Sequence, residues 1–283
     1  MGLINYNIEK YSPQQLVAIP LVFLVISLIL LALNTAATGM PVTPGIDFSG
    51  GTAVQVQTTD SKDTIMATFA GYPLSEVSDM NNGKFLKFGT MDDAKLQSLT
   101  ALINQKYPDS SISQIGETFG KTLQYQAVIA LIFSFIGMAL VIFIAFRTFV
   151  PAAAVVLSAF ADMAMTAAAM NIIGIPLTLG TVAALLMLIG YSVDSDILLT
   201  NRVLKRQGKL NDKLTGAFHT GIIMTSTTLA ATAAMFVVAW FGSVQILYEI
   251  SAVLLIGLFA DIFNTWLTNV GILKWYVLKG GGK

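Results

Sequence analysis

Leu185–Arg202 reads LLMLIGYSVDSDILLTNR. The stretch begins as a membrane span and then carries two carboxylates, Asp194 and Asp196, before the apolar run has ended. A carboxylate on a lipid-spanning helix costs roughly 2.5–3.5 kcal/mol at mid-membrane on insertion scales. Two of them in one span call for a protein interior around them, or for a function that uses them.

The rest of the chain agrees that this is a membrane span. Of 283 residues, 55% are hydrophobic and only 11% charged, and the mean hydropathy is +0.72. Soluble domains run near 25% charged, so the chain reads as a polytopic α-helical membrane protein. Its formal net charge is zero, which gives no footing for nucleic acid. Without cysteine and with His219 as its one histidine, it offers no disulfide, no thiolate site and no zinc site. No cofactor motif is present.

A span needs about 20 mostly apolar residues. Six candidates satisfy this: Gln14–Leu33, Gln126–Phe146, Pro151–Ile173, Pro176–Thr200, Ala217–Phe241 and Ile246–Tyr276. The first is read as a retained anchor. Its apolar core is too long for a signal peptide, and Asn34-Thr35-Ala36-Ala37 is a weak cleavage look-alike. Lys and Arg in short loops set orientation. Arg202, Lys205, Arg206, Lys209 and Lys213 follow span four, Arg147 separates spans two and three, and Lys274, Lys279 and Lys283 close the chain. The opposite turns, Asn171–Ile175 and Gly242–Gln245, carry none. Both termini are therefore expected in the cytoplasm of a cell-membrane protein. The expected domains are 1–33 (N-terminus and first span), 34–125 (outside) and 126–283 (five spans).

The connection from Asn34 to Tyr125 is long enough to fold alone. GTAVQVQTT alternates as a strand does, and SKDTIMATFAGY reads as a short helix ended by Gly71 and Pro73. LSEVSDM and KFLKFGT flank Asn81-Asn82-Gly83, a hairpin signal. MDDAKLQSLTALINQKYP is an amphipathic helix with Thr90 as expected N-cap and Pro108 beyond its end, and SSISQIGETFG is a last strand. The order βαββαβ is the ferredoxin-like pattern, which needs a four-stranded sheet with both helices on one face. No catalytic constellation is visible in this domain. Before its first strand, Pro44–Thr52 reads PGIDFSGGT. Gly45, Gly50 and Gly51 permit close approaches or backbone conformations closed to other residues, and Asp47 can cap its neighbours' amides. The plain reading of this motif is a rigid junction.

Four acids fall inside or near the ends of spans three, four and six: Asp162, Asp194, Asp196 and Asp261. Glu249 lies near the outer end of span six, within reach of water. Asp162 follows Pro151 by about 11 residues, so it sits about 16 Å deep. Ser158, Asp162, Thr166 and Ala169 share one small, polar helical face suited to helix packing. Residues two apart on a helix point roughly 200° apart, so Asp194 and Asp196 cannot face the same partner. Asp194 continues a stripe of Gly180, Ala183, Met187 and Gly190 and is expected to face inward. Asp196, in line with Ile189, Ser192 and Thr200, is expected to reach the interface or to pair with a second subunit. Span five offers Thr225, Thr228 and Thr232 near His219, and span six offers Asp261, Asn264, Thr265 and Thr268. Interhelical hydrogen bonds alone account for Thr and Asn at about 0.6 kcal/mol each. They account poorly for the acids, because Asn would pack as well at lower cost. No matching set of buried bases is present. An ionisable group inside a span that can take and release a proton is a functional candidate by default.

GIDFSGGT after the first span, an outside ferredoxin-like domain, five further spans and IGYSVDSDILLTNR in the fourth together resemble the SecF family. That family supplies the smaller partner of the SecD–SecF protein-export complex, in the resistance–nodulation–division group of proton-driven transporters. The resemblance covers essentially the whole chain. It implies a non-enzymatic protein without cofactor that works with SecD beside the Sec translocon, in contact with lipid and with the translocating polypeptide, using the proton-motive force. It also implies a hinge-region role for Gly45, Asp47, Gly50 and Gly51. FADMAMT resembles the third-span pattern, with Asp162 on its acid and Thr166 on its Thr. In span four, Ser195 stands on the acid of the bacterial SecF pattern, flanked by Asp194 and Asp196, whereas the SecD pattern matches Asp194. This departure resembles an archaeal type. The implied proton path is Asp194, Asp196, Asp162, Ser195, Thr166, His219 and Asp261. Bacterial relatives often carry an Arg early in span five where Thr220 stands, and His219 beside it is the candidate substitute. Two rivals stand beside this reading. One is a structural partner whose acids only hold helices together. The other is an intramembrane aspartyl protease using Asp162 and Asp194, although its Tyr-Asp and Gly-x-Gly-Asp motifs do not occur.

Overall fold

A computed structural model describes residues 10–281. Lys283 and residues 1–9, read above as cytoplasmic, lie outside the described residues. Among the described residues, six helices are long and apolar enough to cross a membrane. These are α1 (Pro13–Thr38), α5 (Glu117–Phe146), α6 (Phe149–Ile173), α7 (Leu179–Lys205), α8 (Leu210–Phe241) and a last span over Gln245–Leu278. Several extend past the apolar windows predicted for them, because a helix continues wherever backbone bonding is satisfied while hydropathy reports only its lipid-facing stretch. The last span has three parts: α9 (Gln245–Phe263), a π-helical segment (Asn264–Asn269) and α10 (Val270–Leu278). Helices α6, α7 and α9 form the buried centre, while α1, α5 and α8 are mostly exposed around it.

Between α1 and α5 lies the expected βαββαβ unit. It comprises a short helical turn α2 (Ile46–Ser49), β1 (Gly51–Val56), α3 (Lys62–Thr68), β2 (Leu74–Met80), β3 (Gly83–Phe88), α4 (Asp93–Lys106) and β4 (Ser111–Ile115). The antiparallel sheet has strand order β2-β3-β1-β4. Alternation along the strands sends Val54, Val56, Leu86 and Phe88 to one face, where Ile65 of α3 and Leu99 and Ile103 of α4 cover them. The hairpin turns at Asn81-Asn82, with Met80 paired to Gly83. Helix α4 is capped by Asp92, whose side chain accepts from the Lys95 amide at 2.7 Å, and not by Thr90. A carboxylate beside the positive helix end is the stronger cap.

The opposite face of the sheet turns towards the helical bundle. Gln55 Nε2 donates to the Ser243 carbonyl at 3.0 Å, and Asn81 Nδ2 to the Phe241 carbonyl at 3.2 Å, both at the α8–α9 turn. A cavity of about 240 Å³ lies in this seam, lined among others by Glu76, Lys87, Gln245 and Glu249. Glu249 does not reach bulk water: it is buried and receives bonds from Gln245 at 2.9 Å and Thr178 at 3.1 Å. The Glu76 carboxyl is raised by partial burial, but its bonds to Lys87 and Ser78 outweigh this and hold it below the usual carboxylate range.

The PGIDFSGGT segment joins four elements. Gly45 N donates to the Leu177 carbonyl at 2.7 Å, and Leu177 N to the Thr43 carbonyl at 2.8 Å. Asp47 bonds not its neighbours but a distant helix: its carboxylate accepts from the Leu179 amide at 2.8 Å, at the first turn of α7. Gly50 and Gly51 take φ +77° and +132°, and a Cβ on Gly50 would come within 2.8 Å of the Glu117 Cα of α5. No other residue fits that approach.

Candidate functional site

Small residues let the three central helices approach closely. Ala161, Ala164 and Ala168 are buried on α6 around Asp162. On α9, a Cβ at Gly257 would overlap the Leu188 side chain of α7. Within this contact the three acids Asp162, Asp196 and Asp261 are each at most 1% exposed.

A hydroxyl and amide network joins them. Ser192 Oγ donates to Asp162 Oδ2 at 2.5 Å, and Asn264 Nδ2 to Asp162 Oδ1 at 2.7 Å. Ser195 Oγ donates to Asp261 Oδ2 at 3.2 Å. Asn269 Nδ2 donates to Asp196 Oδ1 at 2.7 Å. Thr265 Oγ1 lies 2.9 Å from Asp196 Oδ1 and 3.0 Å from Asp261 Oδ1. The side chains that reach the acids come largely from the π-helical segment, a rare conformation that is frequent at functional sites. Among the described residues, no Lys, Arg or His lies within ion-pair distance of these acids; the ion pairs belong to the sheet domain and the start of α5. Apolar side chains seal the cluster on the sheet-domain side, with Val182 and Leu185 of α7 against Val253 and Leu254 of α9. Asp162 and Asp261 thus converge as expected on helices whose polar faces were legible in the sequence.

The facing of span four is the reverse of that expected. Asp196, with Ile189, Ser192 and Thr200, is buried, while Asp194 is exposed together with Ala183, Met187 and Gly190. Periodicity identifies two opposite faces but not which of them turns inward. Here the serines and larger aliphatic residues fill the bundle, and the small-residue stripe is left on its surface. Asp194 lines an open groove with Asn201, Arg202, Arg206 and Met224. Asp162 and Asp194 therefore do not form the pair an aspartyl protease needs. Ser195 bonds Asp261, but the Thr166 hydroxyl donates to the Asp162 backbone carbonyl at 2.6 Å and so does not reach a carboxylate. His219 packs edge-on against Phe218, with ring centroids 6.1 Å apart, and is not among the acids' hydrogen-bond partners. The side chain that meets Thr220 is Arg202, which donates to its hydroxyl at 2.7 Å and to the Gly216 carbonyl at 2.5 Å. Asn269 was missed in the sequence; its signal is the spacing of four from Thr265 and eight from Asp261. Gly45, Asp47, Gly50 and Gly51 lie together at the sheet-domain end, away from the acids.

Fold and site define a multi-pass membrane protein with a ferredoxin-like domain inserted after its first span and carboxyl groups buried between its central helices. The family described as Protein export membrane protein SecD/SecF, C-terminal, matches residues 95–279, and the SecD/SecF GG Motif matches residues 36–62. The Protein-export membrane protein SecF of Methanolacinia petrolearia is 57% identical over 99% of this chain and 100% of its own length. That of Haloferax volcanii is 42% identical over 96% of this chain and 95% of its own length, and that of Pyrococcus furiosus 37% over 97% and 94%. The chain belongs to the SecF family of protein-export membrane proteins. These relatives are named as export proteins and not as enzymes. The crystal structure of SecDF, a translocon-associated membrane protein from Thermus thermophilus, shares the fold with a TM-score of 0.78 at 20% identity. It is matched over 98% of this chain, which spans 40% of that longer one.

Proposed function

We propose that this chain is the SecF half of an export motor that, paired with SecD beside the Sec translocon, uses the proton-motive force to promote passage of polypeptides across the cell membrane. The observation that carries this reading is the cluster of Asp162, Asp196 and Asp261 on three packed helices, held by neutral donors and not by bases. Adding or removing a proton there changes the repulsion and hydrogen bonding between α6, α7 and α9. One proton crossing 100 mV supplies about 2.3 kcal/mol, a useful bias on a two-state packing.

The route to the polypeptide runs through the far ends of the same helices. Asp47 bonds the first turn of α7, and the sheet bonds to the turn that opens α9. A shift of α7 against α9 therefore acts on the seam with the sheet domain; the Lys and Arg distribution supports this reading's orientation, with the sheet domain outside the cell and both termini in the cytoplasm. SecD is the partner that covers the exposed stripe of α7. Asp194 lies about 22 Å along α7 from Leu179 at 1.5 Å per residue, still within a hydrocarbon core of about 30 Å, where a carboxylate against lipid is unfavourable.

The test is ion flux and transport of a secreted chain in energised vesicles holding the complex with SecD. Asp196→Asn and Asp261→Asn each should abolish both while the complex still assembles. Full activity in both variants would leave the acids as helix-packing groups only.

A further inference from the structure

We propose that Thr265 is the proton relay between Asp261 and Asp196, a role that rests on the proton-coupled reading above. Its single hydroxyl oxygen stands 2.9 Å from one carboxyl and 3.0 Å from the other. A threonine hydroxyl has one proton to donate and lone pairs to accept with. It can donate to one of these carboxylates only. The second contact becomes a hydrogen bond when the other acid holds a proton and donates it to the Thr265 oxygen. The geometry therefore describes one proton shared by two acids with a hydroxyl between them. If both acids were ionised, one buried oxygen would face the Thr265 oxygen with no hydrogen between.

This arrangement is suited to transfer. The Asp261 O–H bond breaks as its proton passes to Thr265 Oγ1, and the Thr265 O–H bond breaks as that proton passes to Asp196 Oδ1. Thr265 ends as a neutral hydroxyl, Asp261 as a carboxylate and Asp196 as a carboxylic acid. Charge and atoms balance with no co-reactant. Rotation about Cβ–Oγ resets the hydroxyl. The surroundings hold both ends still: Ser195 bonds the far oxygen of Asp261, and Asn269 bonds Asp196. Threonine is stiff at χ1, and the π-helical segment Asn264–Asn269 fixes the backbone beneath it.

The experiment compares wild type, Thr265→Val, Thr265→Ser and Asp196→Asn, each assembled with SecD in vesicles carrying an entrapped pH dye. Valine keeps the shape without the hydroxyl, and serine keeps the hydroxyl. Thr265→Val should lower proton flux by about 100-fold, in the range of a lost proton-transfer group, and Thr265→Ser should restore most of it. Normal flux in Thr265→Val alongside lost flux in Asp196→Asn would overturn the relay and leave the coupled reading standing. Normal flux in both would overturn both. Infrared spectra of the wild type supply a measurement independent of how the variants fold. A protonated carboxyl band that disappears in Asp196→Asn or Asp261→Asn is expected at neutral pH, and its absence from the wild type would overturn the shared-proton geometry.

Discussion

At the scale of single residues, three side chains outside the acid cluster each carry a checkable consequence. Asp47 accepts the Leu179 amide in the first turn of α7, beside the N-cap Thr178, and a hydrogen bond of this kind contributes about 1 kcal/mol. Asp47→Ala is therefore expected to lower the melting temperature of the purified protein modestly and to weaken transport more than assembly. Glu76 carries a sign that can be checked. Its folded value is below the ordinary one, so the stability it contributes is present above the unfolded value and is lost as pH falls through the folded one. The sheet domain should lose protection in hydrogen exchange on acidification through that window. Lys87→Met should flatten the dependence, because Lys87 is the partner whose bond lowers the group. Asp194 makes the opposite case: it is exposed and is expected to be less sensitive to Asn replacement than Asp196.

At the scale of elements, the last span is the unusual one. Its π-helical segment points Asn264, Thr265 and Asn269 at the acids. Deleting Leu267 would remove the extra residue that the π-helical segment accommodates, returning the span to α-helical pitch and changing how Asn264, Thr265 and Asn269 meet the acids. The variant should insert with helical content unchanged but lose proton flux, measured in vesicles beside circular dichroism. Gly257→Leu makes a second test of the element. It would force α9 off Leu188 of α7 and should separate the acids without touching any of them.

At the scale of the whole molecule, the sheet domain and the bundle meet at a seam held by few direct bonds. The chain has no native cysteine, so a disulfide between Gln55→Cys and Ser243→Cys would report on this seam alone. Cross-linking should reduce transport and reductant should restore it. Unchanged transport in the cross-linked protein would mean that the seam stays closed through the cycle. The exposed α7 stripe has its own test. A thiol reagent should label Gly190→Cys in the chain alone and be excluded when SecD is present.

The class of protein, the six spans and the βαββαβ order follow from the sequence by itself. Hydropathy, period-two alternation and turn residues are local properties, each carried by residues close together in the chain. The inward faces of α6 and the last span were legible for a similar reason, since Asp162 and Asp261 each lie in a single polar stripe without a rival. Tertiary structure alone decided which acid of span four is inward. Asp194 and Asp196 sit on opposite faces of one helix, and only the packing of α6 and α9 selects between them. It also decided that Asp47 bonds the first turn of a helix 132 residues away, that Arg202 meets Thr220 while His219 packs on Phe218 and off the acids, and that one hydroxyl lies between two acids. Those contacts join residues distant in the chain, and their energies exist only once the helices are packed.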